Sequence, residues 1–186
     1  MNKNYPKIPD EKECYRLMDE YQMLPNIVEH SRQVMKVALV IADNLKEKNT
    51  VNRDLVIAAS LLHDITKTQG LTTGEPHDKT GAELLRKLDM PEIAYIVGEH
   101  VFFTNFNPEG PVEERELVYY ADKRVMHHTI VTVDQRINDL LSRYGTTPDR
   151  RERILLNSRM IYFIGEKLQR NVNDNLEQLI SRLPAL

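Results

Sequence analysis

Apolar residues recur along this chain at intervals of three and four, a spacing that places them on one face of an α-helix. The pattern predicts helices over residues 10–23, 25–48, 53–67, 78–88, 91–100, 133–144, 148–169 and 173–183, and one more helix that starts near residue 112. No run of alternating polar and apolar residues is long enough to predict a strand. The sequence therefore indicates an all-α fold without a sheet.

The predicted helix 53–67 is apolar on nearly every side as far as Leu62, which is typical of a central, covered helix. His63 and Asp64 follow at once, and a buried imidazole or carboxylate is costly unless it is paired or bound to a metal. Adjacent side chains diverge on a helix, so both can reach one small atom only if the helix ends there. Gly70 and the polar residues around it favour such an end. A helix end with a core histidine and a surface aspartate is the simpler alternative for this dipeptide alone.

Further polar residues interrupt the other apolar faces. His30 lies within the apolar stripe of helix 25–48, His100 extends the stripe of helix 91–100, and Asp122 shares a stripe with Val118. His77 directly precedes helix 78–88. Each histidine alone is more often a core residue than a ligand, but the set together favours a shared metal site. Imidazole and carboxylate ligands suit zinc, iron, manganese and nickel.

Composition and charge limit the kinds of protein that this chain can be. At 186 residues, with 41% hydrophobic and 28% charged residues, the chain is expected to form one globular domain. A net charge of −3 without a dense basic run argues against a nucleic-acid polymer as partner. A single cysteine, Cys14, suits a reducing compartment. Because no signal peptide or membrane span is visible, we expect a cytoplasmic protein without membrane contact, and a homodimer is possible.

The ordered set His30, His63-Asp64, His77, His100 and Asp122 resembles the HD-domain superfamily of metal-dependent hydrolases. The defining pattern of that superfamily is a histidine, a His-Asp doublet and a distal aspartate on the helices of an all-α core. The resemblance covers residues 27–125. It implies an HD-domain helical bundle with additional C-terminal helices. We expect a single HD-type domain over residues 1–186, with a core at about 25–126 and a helical extension over 127–186.

The resemblance also implies a chemistry, the hydrolysis of a small phosphoester or nucleotide by a metal-activated water, as a phosphomonoesterase or a phosphodiesterase. His77 and His100 look like the additional pair of the dinuclear members. Two divalent ions (Fe, Mn, Ni, Co or Zn, with Mg possible) are therefore expected, bridged by Asp64. His30, His63 and Asp122 would complete one ion site, and His77 and His100 the other. Lys67 matches a lysine that many members place beside the substrate phosphate, so Asp64 and Lys67 are the expected catalytic residues.

Several alternatives remain open on these residues. His77 and His100 could contact substrate beside a single ion, and Lys67 could be a solvated residue at a helix end. Some HD-fold proteins with a similar ligand order are di-iron oxygenases, and a non-catalytic metal-binding module is a second alternative. We interpret Arg150, Arg151 and Arg153 as a solvated helix face, with a phosphate contact in trans as the alternative. We interpret His127-His128 as polar surface residues. The loops 68–76 and 104–111 are expected to shape the pocket.

Overall fold

The computed structural model describes residues 5–47 and 50–184. The residues outside this range include both ends of the predicted domain and the predicted end of the long helix at residue 48. The helices are α1 (Glu11–Glu20), α2 (Pro25–Asp43), α3 (Arg53–Leu62), α4 (Lys67–Thr73), α5 (His77–Lys87), α6 (Pro91–Glu99), α7 (Glu114–Asp122), α8 (Val133–Tyr144), α9 (Pro148–Asn171) and α10 (Leu176–Ser181). The predicted all-α class is confirmed.

Helix ends follow the local chemistry of the sequence. Asn52 accepts hydrogen bonds from the second and third backbone N–H groups of α3 at 3.1 and 3.2 Å. Thr132 and Gln135 form a reciprocal capping box at the start of α8. Thr147 accepts a hydrogen bond from the backbone of Arg150, and Pro148 occupies the first turn of α9. These caps explain why the helices begin where the sequence predicts.

The predicted end of helix 53–67 and the predicted loop 68–76 were wrong. Helix α3 ends at Leu62, and tight turns follow, with the backbone N–H of Ile65 donating to Leu62 and that of Lys67 donating to Asp64. A separate helix, α4, then occupies most of the predicted loop and ends at Gly74, whose φ of 77° is left-handed. None of the residues of α4 is buried, so it carries no apolar stripe that a sequence pattern could reveal.

Helix α3 is the central element, since seven of its ten residues are buried and it packs against α1, α2, α6 and α7. One apolar cluster joins α1, α3, α5 and α6, with members that include Leu17, Leu61, Leu62, Leu85, Ile93 and Val97. A second cluster joins α2, α7, α9 and α10, with members that include Val34, Ile41, Leu117, Tyr119, Ile164, Leu168 and Ile180. The ends of α3, α6 and α7 are therefore held by packed neighbours.

Helix α5 approaches the turn after α3 closely. A Cβ atom on Gly81 would lie 3.2 Å from Val97 and 3.3 Å from the Thr66 hydroxyl, so a larger residue there would push these segments apart. The same hydroxyl donates a 2.9 Å hydrogen bond to the carbonyl of His77. These contacts fix the start of α5 beside the residues that follow α3.

A small antiparallel hairpin departs from the expectation of no sheet. Its strands β1 (Val125–Met126) and β2 (Thr129–Ile130) pair Val125 with Ile130 and Met126 with Thr129. Strands of two residues are too short to show an alternating pattern. The hairpin lies between α7 and α8 and packs against α2, which places its turn near the site described next.

Candidate metal centre

Six side chains from five parts of the chain meet around the end of α3. They are His30 within α2, His63 and Asp64 directly after α3, His77 at the start of α5, His100 directly after α6, and Asp122 at the end of α7. All of them are buried except His77, whose side chain is 28% exposed. We call this set the His/Asp cluster. The structure thus brings together all six residues for which a ligand role is predicted.

Asp64 lies at the centre of the His/Asp cluster, and its two carboxylate oxygens face different histidines. Oδ2 is 3.4 Å from His63 Nε2 and 3.9 Å from His30 Nε2. Oδ1 is 3.2 Å from His77 Nε2 and 3.6 Å from His100 Nε2. One carboxylate can therefore be shared between two groups of imidazoles.

Asp122 completes the side of the cluster that contains His30. Its Oδ1 is 3.0 Å from His30 Nε2 and 3.8 Å from His63 Nε2. Its Oδ2 accepts a 2.5 Å hydrogen bond from Lys123 Nζ, which also donates to the carbonyl of His100 at 2.8 Å. Burial alone would raise the pKa of Asp122, but Lys123, followed by His30, holds this pKa well below its usual range. The carboxylate is charged at neutral pH.

Three of the histidines are oriented by backbone carbonyls. Each Nδ1 lies within 2.8 Å of a carbonyl oxygen, the pairs being His30 with His127, His63 with Ser60, and His100 with Val97. Because a carbonyl only accepts, Nδ1 of each ring carries a proton, and Nε2 is the nitrogen that faces the cluster. These Nε2 atoms point at the two aspartates, which is the arrangement that metal-binding histidines adopt.

Lys67 sets the charge of the central carboxylate. Its Nζ donates a 2.7 Å hydrogen bond to Asp64 Oδ2. Burial acts to raise the pKa of Asp64, but Lys67 and then His63 hold it well below its usual range. Burial also lowers the pKa of His100 to about 4, so this ring is neutral at neutral pH. An ionised carboxylate beside a neutral imidazole is a competent ligand pair for a divalent cation.

Two buried polar atoms of the cluster lack a hydrogen-bond partner within the described residues, His63 Nε2 and Asp64 Oδ1. Unpaired polar atoms in a protein interior are costly and call for an explanation. Two groups of ligand atoms, each within 4.8 Å of one another, share Asp64: His30, His63 and Asp64 in one, and Asp64, His77 and His100 in the other. Divalent cations would satisfy the unpaired atoms, so the residues present fit metal ions.

A cavity of about 660 Å³ opens beside the His/Asp cluster. Asp64, Lys67, His77, His100 and Asp122 line part of it. Helices α8 and α9 supply another part through Arg136, Leu140, Tyr144, Arg150, Arg153, Ile154, Asn157, Ser158 and Ile161. The interpretation of the arginines as a solvated helix face is therefore incomplete. Arg150 and Arg153 are exposed, but they also line the cavity, whereas Arg151 is exposed and is not part of that lining.

Two further supporting residues were missed from the sequence. Lys123 bridges Asp122 and the His100 carbonyl, and the only signal for it was a cation placed directly after a buried aspartate. His127 acts through its backbone carbonyl, which accepts from His30, while its side chain contacts Arg143 at 2.6 Å. A carbonyl belongs to every residue, so no residue type could have indicated this contact.

The family model described as "HD domain" matches residues 27–126. The chain belongs to the HD domain family. The match confirms the resemblance inferred from the order of histidines and aspartates. All six residues of the His/Asp cluster lie inside the HD domain match, whereas α8, α9 and α10 lie outside it.

Two curated relatives and one solved structure are similar to this chain. The chain is 32% identical over 146 residues to a tRNA (cytidine(56)-2'-O)-methyltransferase of Picrophilus torridus, covering 74% of this chain and 41% of the relative. It is 33% identical over 133 residues to a dihydroneopterin 2',3'-cyclic phosphate phosphodiesterase of Methanocaldococcus jannaschii, covering 63% of this chain and 49% of the relative. The crystal structure of a predicted HD superfamily hydrolase from an uncultured Thermotogales bacterium aligns with a TM-score of 0.48 and 23% identity, covering 86% of this chain and 89% of that chain. The chain thus spans less than half the length of the two curated relatives.

Among the helices that the structure describes, none combines the length and the apolar character needed to cross a membrane.

Proposed function

We propose that this HD domain is a metal-dependent hydrolase of a small phosphoester or nucleotide, in which the His/Asp cluster holds two divalent ions. The observation that carries the proposal is the position of Asp64, whose two oxygens face separate histidine groups while one of them lacks a hydrogen-bond partner among the described residues. Two divalent ions bridged by a carboxylate are a recurrent arrangement for in-line displacement at phosphorus.

In this proposal His30, His63 and Asp122 hold one ion, His77 and His100 hold the other, and Asp64 bridges them. Bound divalent cations polarise phosphoryl oxygens and lower the pKa of water, which supplies the nucleophile. Iron, manganese, nickel, cobalt and zinc fit this mixed donor set, and magnesium is a further candidate through its preference for carboxylate oxygens.

The chain's own residues then prepare the site for a phosphate. The carbonyl partners of His30, His63 and His100 hold each ring at Nδ1 and so direct its Nε2 atom toward the aspartates. Lys67 lines the cavity with a side chain that is 31% exposed, and it uses one N–H on Asp64. Its remaining N–H groups can donate to a non-bridging phosphate oxygen.

The relatives support a phosphoester substrate without naming it. One relative is named as a phosphodiesterase of a cyclic phosphate, and the match includes about half of that protein. Methyl transfer is not carried over from the tRNA methyltransferase, because the His/Asp cluster on which the proposal rests suits metal-activated hydrolysis. From the phosphodiesterase the proposal takes only the reaction class, hydrolysis at phosphorus.

The test is phosphate or nucleotide release from a panel of phosphomonoesters, phosphodiesters and nucleotides, with Mn, Mg, Fe, Ni, Co or Zn added to the full chain. We expect release with at least one metal and none after chelation. Asp64→Ala should abolish turnover because it removes the bridge and a charge together, while Asp54→Ala, at an exposed position on α3, should leave it unchanged. An absence of release with every metal, together with oxygen uptake by the iron-loaded protein, would support the oxygenase alternative instead.

A further inference from the structure

Helix α9 supplies a face of the cavity that lies outside the HD domain match. The lining residues of α9 are Arg150, Arg153, Ile154, Asn157, Ser158 and Ile161. Their spacing of three and four places them on one side of the helix. Asn157 fixes this side, since its Nδ2 donates a 2.7 Å hydrogen bond to the carbonyl of Val101 in the segment after α6. The face is therefore held against the part of the chain that carries His100.

Not every cationic side chain that lines the cavity has a carboxylate partner. Three cationic side chains of the lining have a nitrogen 2.5 to 2.8 Å from a carboxylate oxygen. The pairs are Lys67 with Asp64, Lys123 with Asp122 and Arg136 with Asp139. Within residues 5–47 and 50–184, no carboxylate oxygen lies within 4.0 Å of the nitrogens of Arg150 or Arg153. The carboxylate of Glu75 also lines the cavity and offsets part of the positive charge of the two arginines. Among the residues that the structure describes, these two guanidinium groups of the lining thus have no ion pair.

Both arginines retain most of their hydrogen-bonding capacity. Arg150 Nη1 donates to the Thr146 hydroxyl at 3.1 Å, and the Arg153 guanidinium carbon lies 5.6 Å from the centre of the Phe102 ring. A guanidinium has five N–H donors, so each side chain is positioned while most of its donors make no hydrogen bond to the described part of the chain. Guanidinium groups bind phosphate and carboxylate through paired N–H donors.

We propose that Arg150 and Arg153 bind a second anionic group of the substrate, so that the substrate is a phosphoester that carries another phosphate or a carboxylate. The inference rests on the proposed function, which places the reacting phosphate at the His/Asp cluster and beside Lys67. Helix α9 then selects the substrate through its second anionic group, which is not hydrolysed. Because α9 lies outside the segment shared by the HD domain family, this selectivity belongs to the chain's own C-terminal helices.

The experiment is a calorimetric titration of the full, manganese-loaded chain with three probes of similar skeleton. Glucose 6-phosphate carries one anionic group, fructose 1,6-bisphosphate carries a second phosphate, and 6-phosphogluconate carries a carboxylate at the other end. Manganese is kept in excess over each probe so that chelation does not empty the site. The Arg150→Ala/Arg153→Ala double variant is compared with Arg151→Ala, which removes an exposed arginine of the same helix that does not line the cavity.

We expect at least one probe with two anionic groups to bind roughly tenfold or more tightly than glucose 6-phosphate. The double variant should lose this preference, and Arg151→Ala should keep it. The bisphosphate and the phosphogluconate separate a phosphate-selective site from a carboxylate-selective one. No preference in the native chain, a preference that survives in the double variant, or an equal loss in Arg151→Ala would each overturn the inference.

The titration records binding, whereas the panel of substrates records turnover. A chain that shows the preference but hydrolyses nothing contradicts the proposed function. A chain that hydrolyses phosphoesters without the preference contradicts only the role of Arg150 and Arg153.

Discussion

At the scale of single residues, Lys123 controls the charge at one side of the His/Asp cluster. Its side chain is 8% exposed, and its Nζ donates to Asp122 and to the carbonyl of His100. Lys123→Met leaves the buried Asp122 carboxylate without this cation, and breaking a buried ion pair costs about 3 kcal/mol or more.

We therefore expect the metal-free Lys123→Met protein to lose about this much free energy of unfolding in urea at neutral pH. Lys87→Met, at an exposed position on α5, serves as the matched control and should change the stability little. Equal stabilities of the two variants would show that the Lys123 contacts do not stabilise the fold.

Lys67 acts on both the Asp64 carboxylate and the cavity. If its remaining donors neutralise phosphate charge during the reaction, Lys67→Ala should lose about 2 to 4 kcal/mol of transition-state stabilisation, by analogy with the loss of one electrostatic donor. The measurement is kcat/KM on the best substrate of the panel, together with the metal content of the purified variant. Metal content should stay intact, and loss of the metal in parallel with activity would make Lys67 a structural partner of Asp64 instead.

At the scale of elements, the hairpin between α7 and α8 supports a ligand through its turn. His127 adopts a left-handed φ of 56°, and its carbonyl accepts from His30 Nδ1 at 2.8 Å. This conformation is unfavourable for a β-branched residue, whereas glycine adopts it freely. The identity of the side chain at position 127 is therefore less important than the backbone geometry that it permits.

His127→Val should weaken metal binding by roughly tenfold or more, because it displaces a carbonyl that orients a ligand. His127→Gly keeps the turn and removes only the contact with Arg143, so its metal affinity should stay near that of the native chain. Competition with a metal-binding indicator measures both affinities. The interpretation fails if the valine variant binds metal as tightly as the glycine variant.

Elements with a buried face were predictable, and elements without one were not. Helix α8 matches the predicted range 133–144 because a threonine cap, a regular apolar stripe and Gly145 all agree. Helix α4 was missed because no residue in it is buried. The role of α9 in the cavity was missed for another reason, since the sequence shows that Arg150 and Arg153 share a helix face but not what that face meets.

At the scale of the whole molecule, the helical spacing of apolar residues predicted the all-α class, and the resemblance carried by the order of histidines and aspartates implied the HD-domain bundle. His30, His100 and Asp122 interrupt apolar stripes, and burial of those stripes brings the three residues together. The orientation of each ring depends on backbone carbonyls and on Lys123, which only the folded chain reveals. The ligand roles, and the single domain with a core at about 25–126 and an extension over 127–186, stay predictions.

The most direct test of the dinuclear centre is the metal content of the chain purified without chelator, measured by plasma emission spectrometry against protein concentration. The two ligand groups that share Asp64 predict two divalent ions per chain. His77→Ala and His100→Ala should each lower the content toward one ion, and Asp64→Ala should lower it further. One ion per chain that persists in both histidine variants, or no bound metal in the native chain, would contradict the account.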